Sequence, residues 1–117
     1  MDVKLLKIKD KSDLRNERVV ISVLRDCNIG EYILFDTTYS DYQISNKLRH
    51  TYWFPDKKVQ QGDKVILYTK EGEIKEKNNE SGNTSHFFYW ELNETVWNKN
   101  EDCAVLVNIK DYSVLES

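Results

Sequence analysis

The chain carries two histidines, His50 and His86, and two cysteines, Cys27 and Cys103. Four such side chains would suffice for a zinc site, but no two of them have the close pair spacing these sites use, so no metal is expected. Each histidine lies inside a strand-like run in line with apolar neighbours, and reads as a hydrogen-bonded structural imidazole rather than a general base. No serine sits in a nucleophile elbow, the four glycines are not clustered into a phosphate cradle, and no carboxylate spacing matches a calcium loop. The expectation is a non-enzyme without cofactors. A hydrolase whose carboxylates are brought together only by folding is the enzymatic alternative.

Binding chemistry is more visible. In the run 42–54, YQISNKLRHTYWF, the odd positions carry Lys47, Arg49 and Trp53. On one face of a strand, two cations and an aromatic plate could stack bases or hold an acidic partner. Equally, the cations could solvate an outer face while the indole packs beneath a loop. Tyr39 and Tyr42, flanking Ser40-Asp41, form a second candidate contact patch. The run Phe87-Phe88-Tyr89-Trp90 exposes an aromatic face, with Trp90 as its candidate, unless a loop or a second copy of the chain covers it.

These residues need elements to position them, and the period of the apolar residues suggests which. From 42 to 54 the even positions read Tyr, Ile, Asn, Leu, His, Tyr, Phe, an alternation that predicts a strand, although Ile44, Leu48 and Tyr52 would also suit a helix over 41–49. Strands are expected at 18–25 (RVVISVLR), 31–37 (EYILFDT), 64–69 (KVILYT), 85–92 (SHFFYWEL) and 103–109 (CAVLVNI), with an edge strand at 3–8. Asn28-Ile-Gly30 reads as a tight hairpin with positive φ, and Gln61-Gly62-Asp63 as a turn. The segment 70–84, KEGEIKEKNNESGNT, is charged and nearly devoid of apolar residues, and is expected to be a long mobile hairpin loop.

The expected architecture is a single all-β domain over 1–117, an antiparallel β-sandwich with the 64–69 and 103–109 runs as central strands. Trp97 should close the core at one end, its N–H reaching a carbonyl near the turn between a 94–97 strand and the 103–109 strand. There Asn98 and Asn100 would tolerate left-handed backbone, and Asp102 would accept turn N–H groups.

A chain of 117 residues is long enough to bury one core without staples, and no apolar run approaches a bilayer span. Residues 1–60 hold eleven Lys/Arg against nine Asp/Glu, and residues 61–117 hold six against eleven. Such a balance is not the footprint of a strong nucleic-acid binder. The opening MDVKLLKIKDKSD lacks a continuous apolar stretch, so a cytoplasmic location with unpaired cysteines is expected, a single Cys27–Cys103 bridge being the alternative.

The segment VWNKNEDCAVLVN, 96–108, resembles the carboxy-terminal signature of lamin-tail-like domains: a tryptophan and asparagine, a short polar turn, an acidic residue, a small residue and an apolar strand. Upstream, Glu31-Tyr-Ile-Leu-Phe and the run 54–69 resemble strands and a bend of the same family. The chain departs from its pattern at Asp36-Thr-Thr and at Asn108-Ile-Lys-Asp-Tyr. The resemblance implies an immunoglobulin-like sandwich acting as a non-catalytic module that binds proteins, nucleic acid or membrane-associated partners. The leading expectation is a scaffolding module that recognises a protein partner, or a second copy of itself, through an aromatic surface or sheet edge. Weak nucleic-acid binding through Lys47, Arg49 and Trp53 is the alternative.

Overall fold

The computed structural model describes residues 1–98 and 100–117. Among them there is no α-helix, and eleven strands follow one another. They are β1 (Val3–Lys9), β2 (Arg18–Val23), β3 (Cys27–Asn28), β4 (Tyr32–Ser40), β5 (Gln43–Ile44), β6 (Thr51–Trp53), β7 (Lys58–Val59), β8 (Lys64–Tyr68), β9 (Lys75–Asn78), β10 (Thr84–Tyr89) and β11 (Asp102–Asn108). The all-β expectation is borne out, and β1 is the edge strand its sequence suggested.

One sheet has the order β1-β2-β8-β10-β9, and a second joins β11, β4 and β5, with β6 also pairing β4. The short β3 and β7 pair with each other. Alternation sends Val19, Ile21 and Val23 of β2, Val65 and Leu67 of β8 and Phe88 of β10 into one core with Tyr32 and Leu34 of β4. Ala104 and Leu106 of β11 pack against that core from the second sheet. A bulge between Leu5 and Lys7 lets β1 keep both Val3 and Ile8 directed at it.

Several expectations are corrected. The sheets are not wholly antiparallel: β10 runs parallel to β8, pairing Ser85 with Lys64 through to Tyr89 with Tyr68. The connection 69–83 is long enough for the crossover a parallel pair requires. It also supplies β9, so the segment 70–84 is not simply a loop; the exposed residues of β9 pair antiparallel with β10 at the sheet edge. Of the two runs expected to be central, β8 is, but β11 is an edge strand whose one partner strand among the described residues is β4.

The 42–54 run is neither one strand nor a helix. It contributes β5 and β6, joined by an irregular 45–50 segment whose backbone still bonds β4, with Arg49 N–H donating to Asp36 O and Asp36 N–H to His50 O. Residues 94–97 are not a strand, because the chain there passes from the first sheet to the second. Asn28-Ile-Gly30 leads into a 3-10 turn over Ile29–Glu31 instead of a hairpin, and none of the three has positive φ. Glycine is required at position 30 by close approach: an added Cβ would lie 2.8 Å from Asp56 Cα and collide with its carboxylate. Gly62 does take φ +91°, in the turn expected there.

Candidate interaction site

The second sheet carries most of the candidate residues. Its outer face is set by pairing: Ile33 lies opposite Trp53 and Val107, and Phe35 opposite Thr51 and Val105. Since Ala104 and Leu106 face the core, Val105 and Val107 face outward, on the same face as Trp53 with β4 between them. Trp53 is half exposed, and its Nε1 donates to Gly30 O at 2.8 Å, which fixes the ring. Tyr112 packs edge-on against it, centroids 5.0 Å apart and planes at 90°. The two rings border an open cleft of about 890 Å³ whose other polar groups include Glu31, Asp56 and Lys110.

Arg49 reaches the same sheet but is fully engaged. Its Nε lies 3.1 Å from Asp36 Oδ2 and its Nη2 2.7 Å from Asp102 Oδ1, with a further bond to Thr37 O. The hydrogen bond to Asp102 first, and the charges of Asp36 and Asp102 after it, hold the guanidinium pKa above its ordinary value. Asp36 is buried and also accepts from His50, through both N–H and Nδ1. Asp102 additionally accepts from Asn98 N–H at 3.1 Å, the turn-closing role the sequence suggested. Lys47 is exposed on the irregular segment, and the carboxylates bordering the Trp53 cleft would repel a phosphate backbone. Thus Lys47, Arg49 and Trp53 do not combine into a basic strip.

The tyrosine patch lies at the β4–β5 hairpin. Its two-residue loop, Asp41-Tyr42, has φ of 51° and 62°, as a type I′ turn requires, and Tyr42 is 93% exposed there. Tyr39 is exposed beside it. Trp90, expected as a surface aromatic, is buried: its Nε1 donates to Thr51 O at 3.0 Å, and its ring meets Tyr52 and Trp97. Trp97 is 1% exposed, in the core as expected, but its Nε1 has no hydrogen-bond partner among the described residues, contrary to the expected carbonyl.

A feature that residue-by-residue reading missed lies between the two sheets. Along one side β1 and β11 face each other as open edges, and two cavities of about 340 and 380 Å³ run end to end between them. Both reach Leu5; Leu6 and Ala104 line the first, Leu24 and Leu106 the second. The three lysines of VKLLKIK, Lys4, Lys7 and Lys9, were the available signal, because edge strands commonly carry lysine.

A second buried ionic pair lies in the first sheet. His86 is buried with Nε2 2.9 Å from Asp63 Oδ2. Burial presses the Asp63 pKa upward, but bonds from Gln60 N–H, His86 and Thr84 N–H outweigh it and leave it below its ordinary value near 3.8. A lowered carboxylate contributes stability that is complete above the unfolded pKa and is lost as pH falls through the folded one. Asp63→Asn should therefore flatten the acid limb of a denaturation series below about pH 4. Parallel acid limbs for wild type and variant would contradict this.

Cys27 and Cys103 are free thiols whose pKa values are raised, chiefly by burial. Among the described residues no group of three or more His, Cys, Asp or Glu is gathered so as to hold a metal, and no helix is long and apolar enough to cross a membrane. No protein-family model, curated protein or solved structure matches the chain.

Proposed function

We propose that the chain is a non-catalytic binding or scaffolding module of the lamin-tail-like type, an immunoglobulin-like sandwich working in the cytoplasm. It engages a protein partner through the β11 edge and the apolar outer face beside it. The observation that carries this reading is β11 itself: among the described residues its 103–108 run is bonded to β4 on one side only. Its Cys103–Val107 core holds no charge and no proline. Edge strands not meant to pair are normally blunted by charge, proline or cover, and β11 has none of these within its apolar run. An added strand would gain main-chain hydrogen bonds from β11 and side-chain contacts from Val105 and Val107, while Trp53 lies on the same outer face across β4.

Two features favour this over the alternatives. Arg49, the cation a nucleic-acid site would need most, is spent on Asp36 and Asp102. The buried carboxylates of Glu17, Asp36 and Asp63 are likewise taken up by hydrogen bonds from their own chain. Immobilised wild-type protein should retain a specific protein from a lysate of its source cells, and the variants Val105→Lys and Trp53→Ala should retain less. Equal recovery on all three would contradict the reading.

A further inference from the structure

We infer that the seam between β1 and β11 receives residues 111–116 of a second copy of the chain, added as a strand antiparallel to β11. This rests on the reading of β11 as a docking edge and names what docks there. Three sets of observations converge on it.

The first concerns the segment itself. Beyond Ile109, whose N–H donates to Glu31 O, the 110–117 stretch has no assigned secondary structure. It nevertheless carries Tyr112, Val114 and Leu115 at 67%, 80% and 96% exposure. Three large apolar side chains within four residues, this open to water, are a contact surface that the Tyr112–Trp53 contact leaves largely uncovered. Tyr112 and Val114 stand two residues apart, so in a strand they share one face while Leu115 points to the other.

The second concerns the receiving groove. Leu5, Leu6, Ala104 and Leu106 line it, and each flanking strand offers an unbonded edge. Seven extended residues span about 23 Å, the length of β11, and six span about 20 Å, so the segment fits without overhang. Antiparallel addition around a two-fold axis between Ile109 and Lys110 would set Val114 of one copy beside Val105 of the other, and Tyr112 beside Val107. Leu115 would then fall next to Ala104, facing the groove. In such an arrangement each chain gives and receives the same contact, so the assembly closes as a dimer.

The third is charge. Lys4, Lys7, Lys9 and Lys11 stand exposed along the β1 side, and none makes an ion pair among the described residues. The nearby carboxylates Asp2 and Asp10 are taken by Arg25 and Arg18. Asp111, on the face of Leu115 and at the Leu106 end of the groove that Lys4 lines, meets that lysine row with opposite sign. Within one molecule the segment instead leads away from the seam, since Tyr112 packs on Trp53 across β4 from β11.

Sedimentation of the full chain up to roughly 100 µM tests this over the micromolar range expected for a short added strand. Wild type should dimerise with increasing concentration, and more weakly as salt is raised. Val114→Asp with Leu115→Asp, at sites too exposed to disturb folding, should weaken dimerisation at least about tenfold. Lys4→Glu should weaken it too, and Asp111→Lys should restore it in that background. A wild-type monomer throughout the range, or a dimer indifferent to the Val114 and Leu115 substitutions, would overturn the inference. The lysate capture separates the two readings: if Val105→Lys still abolishes capture while no dimer forms, the docking edge stands and only its occupant is wrong.

Discussion

Trp97→Ala is expected to destabilise the domain by about 3–5 kcal/mol, a large share of the roughly 5–15 kcal/mol that holds a domain of this size together. Trp97 is the largest of the fully buried side chains, 1% exposed, with its ring centroid 6.3 Å from that of Trp90. Truncation leaves a cavity where the 91–98 crossing closes the core, and rigid strands on both sides limit its collapse. Trp97→Phe should lose much less: it keeps most of the ring, and it deletes a buried N–H without a partner among the described residues. Chemical denaturation of the three proteins checks both values. A loss below about 1 kcal/mol for alanine would contradict the core placement.

Glu17→Ala should have an effect of similar size. Glu17 is fully buried, and its Oε2 accepts from Thr69 Oγ1 at 2.5 Å and from Val96 N–H at 2.8 Å, while Oε1 accepts from Ser12 N–H. Alanine would strand the first two donors away from water, at about 1–3 kcal/mol each. The bond to Val96 N–H also fixes the residue before Trp97, so the two positions share one structure. In a double-mutant cycle, Glu17→Ala and Trp97→Ala should together lose less than the sum of their separate effects. Strict additivity would show that the carboxylate does not seat the indole.

These two residues mark how far the sequence could be read. Trp97 stands out because an indole between a polar turn and an apolar run has few places to go. The strands carrying Val19, Leu34, Val65 and Phe88 were likewise legible from their β-branched and aromatic runs, although which of their faces turns inward was not. Glu17, Asp36 and Asp63 were invisible: a buried acid and a solvated one share a letter, and Glu17 meets its buried partners 52 and 79 residues away. The parallel β8–β10 pair was hidden by β9, whose exposed residues Lys-Glu-Lys-Asn read as loop and are held in the sheet by backbone pairing with β10 and surface contacts such as Glu76 to Lys57.

Trp90 was misplaced for a related reason. Each residue of an aromatic run is equally suited to the core, and only pairing with β8 decides that Phe88 and Trp90 turn inward while Phe87 and Tyr89 turn out. Arg49 was assigned to the surface by its alternation with apolar residues, and its geometry bears that out. Its function as a cation is nevertheless closed by Asp36 and Asp102, which come from two other strands. The seam between β1 and β11 belongs to no single stretch of sequence, because it exists only where two sheets leave the same side open.

The openness of the β11 edge is the claim on which the functional reading stands, and amide hydrogen exchange resolved by residue tests it directly. In dilute solution, the β11 amides that point away from β4 should exchange like unpaired backbone, while those bonded to β4 are protected. On binding, the outward amides should slow by at least about tenfold. Outward amides already protected in the dilute monomer, or unchanged in the bound state, would contradict the account.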